Sequence, residues 1–300
     1  MKHLLKLQDL TREEILSVLN LADQLKFERN NGIHKDYLKG KKLGMIFQKA
    51  STRTRVSFET GIYELGGYGM FLSSSDLQIG RGEPVQDTAR VLSRYLDGIM
   101  IRTFAQQEVE DLAKYGTIPV INGLTDYAHP CQVLADLMTI REYKGSFKGL
   151  KMAYIGDGNN MANSLIVGAV KLGIACAVAC PKGYEPDSVI TAWAESNGEF
   201  LLTEKVEEAV KDADVVYTDV WASMGMENEK KEREKIFKNY QVNSEVLKKA
   251  KVDVMVLHCL PAHRGEEITE EVFEAHAKEI FDEAENRLHA QKAVMVKLLK

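Results

Sequence analysis

Hydrophobic runs alternate with helical periods along almost the whole chain, which predicts an α/β protein. In the first half the predicted strands are KLGMIF (42–47), GMFLSS (69–74), GIMIR (98–102) and IPVING (118–123). In the second half they are KMAYIG (151–156), IACAVAC (174–180), EFLL (199–202), DVVYTD (214–219) and VDVMVLH (252–258). Strands separated by helical segments of about 10–15 residues are typical of βαβ units. Their continuous apolar sequences indicate parallel sheets that are covered on both faces.

The segments between the predicted strands have the spacing of amphipathic helices. Phe58, Ile62 and Leu65 fall at positions i, i+4 and i+7, which lie on one helical face. Further helices are predicted to begin near Pro84 and at Pro130, because proline suits the first turn of a helix.

Length and a turn in the middle of the sequence predict two domains. The chain has 300 residues, and single hydrophobic cores tend to divide beyond about 250 residues. The Gly, Lys and Ser turn EYKGSFKG (142–149) marks the expected boundary, and the helical stretch 279–299 is long enough to return to the first domain. We therefore expect a first domain at 1–145, completed by about 280–300, and a second domain at 146–279.

Composition narrows the class of protein. Lys and Arg number 39 against 44 Asp and Glu, so the net charge of -5 argues against a nucleic-acid partner. No apolar run reaches the ~18–20 residues of a membrane span, and the first residues reach acidic side chains before a secretory signal could form. The 4 scattered cysteines suit a reducing compartment better than a disulfide scaffold. These features predict a cytoplasmic enzyme without a nucleic-acid or membrane partner.

In the first half, polar residues that follow strands predict an anion site, because open parallel sheets bind ligands at the carboxyl ends of their strands. The sequence S-T-R-T-R (51–55) opens a helix, whose free N–H groups attract an anion, and arginine adds a bidentate phosphate donor. Arg53 and Arg55 cannot share a helical face, so one is expected to bind ligand and the other to brace the structure. Arg102 and His129 offer further donors, although either residue could be purely structural.

The second half offers groups that suit an amino-acid substrate. G-D-G-N-N (156–160) is a partial dinucleotide motif, but Met161 occupies the position of its last small residue, so NAD is not expected. Asn160 can bind a carboxylate or amine, and Asp219 can accept from a cationic amine, although it equally suits a turn. The segment from His258 to His263 leaves open a thiol nucleophile with its base, or zinc, for which the usual spaced ligand pairs are missing.

One charged stretch, SMGMENEKKEREKIF (223–237), directly follows a predicted strand end. Most runs of this kind are solvated surface, and charge alone favours that interpretation. The position after a strand also permits a mobile active-site lid.

Together these motifs resemble the aspartate/ornithine carbamoyltransferase family, and most closely its ornithine branch, over nearly the whole chain. F-x-K-x-S-T-R-T-R (47–55) is similar to the family's carbamoyl-phosphate signature, and H-P-C-Q (129–132) matches its H-P-x-Q element. D-V-W (219–221) with S-M-G (223–225), and H-C-L-P (258–261), are the forms associated with ornithine as acceptor. Gly158, within G-D-G-N-N, is a small departure from the pattern of the family, and it is not expected to disturb Asn160.

The resemblance implies two Rossmann-like domains with parallel sheets, joined by interdomain helices, the first for carbamoyl phosphate and the second for ornithine. It implies transfer of the carbamoyl group to the side-chain amine of L-ornithine, giving L-citrulline and phosphate, in arginine metabolism. It also implies a homotrimer or a multiple of trimers, and no metal or organic cofactor. Alternatives are putrescine or an acylated ornithine as acceptor, a noncatalytic anion-binding protein, and a nucleotide-dependent oxidoreductase.

The resemblance also assigns roles to individual residues. Catalysis is expected from Arg102, His129, Asp219 and Cys259, with Cys259 orienting the amine rather than acting as a covalent nucleophile. The residues implied for carbamoyl phosphate are Ser51, Thr52, Arg53, Thr54, Arg102, His129, Pro130, Cys131, Gln132, Cys259, Leu260 and Arg287, with Gln78 reaching the site of a neighbouring subunit. Those implied for ornithine are Asn160, Asp219, Ser223 and Met224. Cys176 and Cys180 are expected to be buried and inert.

Overall fold

The computed structural model describes residues 1–222 and 229–300, and these residues form two compact units. Unit 1 comprises Met1–Met138 and Asn286–Lys300, and unit 2 comprises Thr139–Glu285. Within these described ranges, no helix is long and apolar enough to cross a membrane.

Unit 1 is built on a parallel sheet. The chain passes through α1 (Arg12–Asn30), β1 (Lys42–Phe47), α2 (Thr52–Glu64), β2 (Tyr68–Ser73), α3 (Val85–Leu92), β3 (Gly98–Arg102), α4 (Gln106–Tyr115), β4 (Val120–Leu124) and the start of α5 (Pro130–Lys144). The described strands form a four-stranded sheet in the order β2-β1-β3-β4.

Unit 2 contains the second parallel sheet. After α5 the chain passes through β5 (Lys151–Ile155), α6 (Asn160–Leu172), β6 (Ala175–Ala179), α7 (Ser188–Asn197), β7 (Phe200–Thr203), α8 (Val206–Val210), β8 (Val215–Thr218), α9 (Lys230–Phe237), α10 (Ser244–Leu247), β9 (Met255–His258), α11 (Glu270–Ala275) and α12 (Ala277–Leu299). The described strands form a five-stranded sheet in the order β7-β6-β5-β8-β9. From Asn286 onward, α12 belongs to unit 1.

The predicted α/β class and parallel sheets are confirmed, and most strands lie within a residue or two of their expected positions. The bounds of β1 and β3 match the predictions of 42–47 and 98–102. The last strand is shorter than predicted, because β9 begins at Met255, where pairing with Val215 of β8 begins. Val252, placed in that strand by its sequence, is instead fully exposed.

The edge strands correct the expectation that both faces of every strand are covered. In β2, Tyr68, Met70 and Phe71 are 61%, 37% and 36% exposed, and in β7 Leu201 is 41% exposed. Both strands lie at the edge of their sheet. An apolar sequence shows only that the side chains are hydrophobic. Whether other elements cover both faces of a strand depends on the position of that strand in the sheet.

The charge of the stretch after β8 favoured solvated surface, but its described part, 229–237, is not all surface. Its described part forms α9, in which Arg233 is 7% exposed and Phe237 is fully buried. Phe237 packs in the core of unit 2 with Trp221 and Tyr240. A helix that is charged on its solvent face can still place single side chains in the core on its other face. Residues 223–228, including Ser223 and Met224, lie outside the described residues. The interpretation of the stretch as a lid therefore stays a prediction.

Candidate active site

One cluster of candidate residues lies within unit 1, at the start of α2, which directly follows β1. Ser51 caps the helix, because its Oγ accepts from the backbone N–H of Thr54 over 3.2 Å and donates to Thr54 Oγ1 over 3.1 Å. The free N–H groups of this first turn and the helix dipole favour a bound anion. Thr52 is exposed here, whereas Thr54 is buried.

Arg53 and Arg55 point in different directions, as their spacing predicted. Arg55 donates to Glu59 Oε1 over 3.2 Å, and its guanidinium lies 3.7 Å from the ring centre of Phe71. Arg55 therefore braces α2 against β2. The charge of Arg53 instead helps to lower the pKa of His129, which places Arg53 on the side of the candidate site.

A buried hydrogen-bond network joins α2, α5 and the unit 1 part of α12. Arg287 donates through Nη1 to Gln132 Oε1 over 2.6 Å and through Nη2 to Thr54 Oγ1 over 3.3 Å. Gln132 donates in turn to Asp136 Oδ1 over 2.8 Å. This arrangement fixes the direction of the Gln132 amide and holds the Arg287 guanidinium at the start of α2.

His129 is buried where the positive charges of unit 1 converge. Burial lowers its pKa well below the ordinary value of 6.5, and the charges of Arg287, Arg102 and Arg53 lower it further. The imidazole is therefore neutral at neutral pH, so it can donate a hydrogen bond without adding charge. Arg102 is 5% exposed at the end of β3, so unit 1 gathers cationic groups that suit a dianionic ligand.

The cysteines outside H-C-L-P are structural. Burial raises the pKa of Cys131, Cys176 and Cys180 to about 12, so these thiols stay protonated, and the expected burial of Cys176 and Cys180 is confirmed. Cys131 also donates through Sγ to the Asn122 carbonyl over 3.3 Å. Its side chain is thus engaged within unit 1, and its predicted contact with carbamoyl phosphate stays a prediction.

Gln78 lies apart from this network. It begins a short 3-10 turn, Gln78–Arg81, and its side chain is exposed. The exposed position suits contact with another molecule, and its predicted contact with a neighbouring subunit stays a prediction.

A separate cluster of candidate residues lies within unit 2, where the ends of β5, β8 and β9 meet. Cys259 donates through Sγ to Asp219 Oδ1 over 3.0 Å. Asp219 also accepts from the Val220 N–H over 2.8 Å and, at Oδ2, from Asn159 Nδ2 over 2.9 Å. Asn159 caps α6 through its Oδ1, which leaves Asn160 as the first residue of that helix. The structure therefore brings Asp219, Cys259 and the Asn160 turn together, as their positions after strands predicted.

His258 is engaged away from Cys259, which removes two alternatives that the sequence left open. Its Nδ1 accepts from the Leu260 N–H over 2.9 Å, so its Nε2 carries the proton and donates to Glu267 Oε1 over 3.0 Å. The imidazole is therefore neither the base of a thiol nucleophile nor a ligand for zinc at His258, Cys259 and His263. It fixes the loop that carries Leu260, whose φ of 58° is rare for a branched residue.

Gly158 is explained by a close approach of two backbone segments. A Cβ at this position would lie 2.2 Å from the Pro186 N atom, and the Gly158 N–H donates to the Tyr184 carbonyl over 2.8 Å. Only glycine fits this contact, and Asn160 keeps its place at the start of α6, as expected.

Several supporting residues were missed at the level of sequence. Asp157 binds Arg233 Nη1 over 2.8 Å, and burial raises the pKa of Asp157 from 3.8 to about 6 although Arg233 opposes the shift. Glu283 accepts the His258 N–H over 2.9 Å and the Tyr217 hydroxyl over 3.1 Å. Arg233 and Glu283 lie within charged helical stretches, and Asp157 lies within G-D-G-N-N, so their residue types alone did not indicate buried partners.

Family models for the aspartate/ornithine carbamoyltransferases match both parts of the chain. Residues 2–142 match the carbamoyl-P binding domain, and residues 148–298 match the Asp/Orn binding domain.

Individual relatives extend over nearly the full length of the chain. The ornithine carbamoyltransferase of Oceanobacillus iheyensis is 59% identical over 300 residues, which cover 98% of this chain and 93% of that protein. The ornithine carbamoyltransferase of Thermococcus kodakarensis is 58% identical over 299 residues, which cover 98% of this chain and 95% of that protein. The solved structure of the Pyrococcus furiosus ornithine carbamoyltransferase matches with a TM-score of 0.95 at 55% identity, covering 99% of this chain and 97% of that chain.

Proposed function

The chain belongs to the aspartate/ornithine carbamoyltransferase family, and we infer that it transfers the carbamoyl group of carbamoyl phosphate to ornithine. It is a transferase whose products are citrulline and phosphate. The reaction forms a bond between the side-chain nitrogen of ornithine and the carbonyl carbon, and breaks the bond between that carbon and the phosphate oxygen.

We propose that unit 1 binds the phosphate and activates the carbonyl group. The phosphate accepts from the first turn of α2, at Ser51, Thr52 and Thr54, and from Arg53 and Arg102. The same donors stabilise the phosphate as it leaves, when its negative charge increases.

The carbonyl oxygen becomes anionic as the amine adds to the carbon. Thr54, Arg102 and neutral His129 are the donors proposed for this oxygen. Arg287 keeps Gln132 and Thr54 in place, because its guanidinium donates to both side chains. A network that is fixed before the substrate arrives reorganises little during the reaction.

We propose that unit 2 prepares the amine. An alkyl amine of this kind has a pKa of about 10.4, so it arrives protonated and must lose a proton before it can attack. The ammonium group gives its proton to water, Asp219 accepts a hydrogen bond from the nitrogen, and Cys259, already hydrogen-bonded to Asp219, orients the neutral amine for attack on the carbonyl carbon. Asn160, Ser223 and Met224 are proposed to hold the rest of the amino acid.

The observation that carries the choice of acceptor is the Cys259–Asp219 hydrogen bond of 3.0 Å. A carboxylate that already accepts three hydrogen bonds is rigid, and it offers a fixed anionic partner for a cationic side chain. The carboxylate substrate of an aspartate-specific enzyme would be repelled at this position.

The test is to incubate the purified protein with carbamoyl phosphate and, in separate reactions, with ornithine, putrescine, N-acetylornithine or aspartate. The ureido product is measured by its colour reaction. Citrulline from ornithine alone is the expected result. A product from another amine would leave the phosphate site standing and overturn the acceptor assignment, and no product with any amine would favour a noncatalytic anion-binding protein.

We further propose that copies of this chain associate through α2 and β2, as a trimer or a multiple of trimers. Tyr63 and Val56 of α2 are 80% and 54% exposed, and Tyr68, Met70 and Phe71 of the edge strand β2 add further exposed apolar surface. A contiguous apolar patch rimmed by polar groups is a typical protein interface. Gln78, exposed after β2, is then available to the site of the neighbouring copy.

Light scattering of wild type and of Met70→Glu tests this assembly. We expect a mass of three chains, or a multiple, for the wild type and a smaller mass for the variant, because a charge at an interface is costly to bury. Val252→Glu, at a fully exposed position in unit 2, is the matched control and should keep the wild-type mass. A monomeric wild type would contradict the proposal. We also propose that the protein acts in arginine metabolism and that it is located in the cytoplasm.

A further inference from the structure

We infer that Arg233 is a positioning residue for the amine-binding side of unit 2, because its guanidinium joins the loop beyond Asp219 to the turn that follows β5. The inference rests on the function proposed above. It adds a residue of the charged stretch 223–237 to which no sequence motif assigned a role.

The Arg233 guanidinium binds three acceptors from three different segments. Nη1 donates to Asp157 Oδ2 over 2.8 Å and to the Trp221 carbonyl over 2.9 Å, and Nε donates to Glu229 Oε2 over 3.0 Å. The side chain is 7% exposed, and its guanidinium carbon lies 5.0 Å from the ring centre of Tyr184. A buried arginine held by three acceptors and an aromatic face has little freedom to move.

Two of these acceptors enclose one stretch of chain. Trp221 lies two residues beyond Asp219, and Glu229 is the N-cap residue of α9. One guanidinium therefore fixes the separation of both ends of the connection between β8 and α9.

The third acceptor, Asp157, links Arg233 to Asp219 through the turn that follows β5. Asp157 is two residues before Asn159, which donates to Asp219 Oδ2 over 2.9 Å. Arg233 thus holds both the loop that carries Asp219 and the turn whose amide binds the Asp219 carboxylate. A displacement of Arg233 would move the carboxylate and one of its donors together.

Lysine cannot replace arginine in this arrangement. An ammonium group can pair with Asp157, but it lacks the planar fork that reaches three acceptors in fixed directions. Arg233→Lys should therefore keep the protein folded and raise the KM for ornithine by about 10-fold to 100-fold, since small misplacements of a binding group have effects of that size. The Kd of carbamoyl phosphate, bound by unit 1, should not change.

A second pair of variants separates positioning from simple stability. Arg233→Met leaves the Asp157 carboxylate buried without its cation, which destabilises the fold. Adding Asp157→Asn removes that buried charge and should restore thermal stability, but it returns no donor to Trp221 or Glu229. The double variant should therefore keep the high KM for ornithine. Arg264→Lys, whose guanidinium binds the exposed Glu274, is the matched control.

A measurement without turnover keeps the inference distinct from the proposed reaction. In a Trp193→Phe background Trp221 is the one remaining tryptophan, because the sequence has 2. It is 5% exposed and stacks on Phe237 with ring centres 6.0 Å apart. Its fluorescence emission should shift to the red in Arg233→Lys and in the double variant, but not in Arg264→Lys.

The outcomes are decisive in each combination. A red shift with a raised KM for the amine that the wild type uses supports the inference, whichever amine that is. Wild-type KM and emission in Arg233→Lys would overturn it, as would recovery of wild-type KM in the stable double variant. If the wild type produces no ureido product from any amine, the proposed function fails by itself, and the emission of Trp221 still decides whether Arg233 positions the loop.

Discussion

Arg287 donates a hydrogen bond of 2.6 Å to Gln132 across 155 positions of the chain. The contact brings the C-terminal helix to the start of α5, and a further bond from Arg287 to Thr54 continues it to α2. The donor set of unit 1 is therefore completed by a residue near the end of the chain.

The first prediction concerns this contact. Gln132→Leu should cost about 1–3 kcal/mol of the free energy of unfolding, because it leaves a buried guanidinium without one acceptor. It should also weaken carbamoyl-phosphate binding, since the Arg287 guanidinium loses one of the acceptors that hold it in place. Urea unfolding and calorimetry measure the two effects, and Gln107→Leu, an exposed exchange on α4, is the control. Wild-type stability in Gln132→Leu would show that the network adds nothing.

Arg102 provides the second prediction. Arg102→Ala should weaken carbamoyl-phosphate binding by about 10-fold to 150-fold, the range of a lost hydrogen bond to a charged group. Calorimetry with carbamoyl phosphate, and with inorganic phosphate as a competitor, gives the affinities. Arg94→Ala, at an exposed arginine of the same unit, should bind as the wild type does. Equal affinity for both variants would remove Arg102 from the site.

Cys259 provides the third prediction. Cys259→Ser should lower kcat by about 10-fold or more, because the hydroxyl changes the length and strength of the bond to Asp219, while the affinity for carbamoyl phosphate is kept. Steady-state kinetics and calorimetry measure these quantities. Cys176→Ser, the control, replaces a buried thiol of β6 that lies outside the H-C-L-P segment, and it should affect stability rather than kcat. Unchanged kcat in Cys259→Ser would exclude Cys259 from the mechanism.

The fourth prediction concerns pH. The pKa of His129 is lowered in the folded protein, so below the ordinary value of 6.5 the unfolded chain binds more protons than the folded one. The stabilising contribution of neutral His129 is thus present above that value and is lost as the pH falls. The free energy of unfolding of the ligand-free protein should decrease from about pH 7.5 to about pH 5 by less in His129→Gln than in the wild type.

His34→Gln, at an exposed position, is the control for this measurement. Comparison of the variants cancels the opposite contribution of Asp157, whose raised pKa favours the folded state at low pH. The same pH dependence in wild type and His129→Gln would contradict a buried neutral imidazole.

Much of the fold could be predicted because its signals are local. The β1 and β3 runs match the structure residue for residue, since a strand buried on both faces must be apolar along its length. The edge position of β2 could not be predicted in the same way. Its composition resembles that of a buried strand, and coverage depends on which strands become its neighbours.

The sequence by itself determined the α/β class, the motifs and the residue types at the ends of strands. Only the tertiary structure decided their partners. Cys259 pairs with Asp219, 40 positions away, and His258 with Glu267 instead of Cys259. The contact of Cys259 with Asp219 follows from the order β5-β8-β9, which sets strand ends side by side although they lie far apart in the chain. A hydrogen bond requires an approach of about 3 Å, and strand order, which no local pattern encodes, creates that approach.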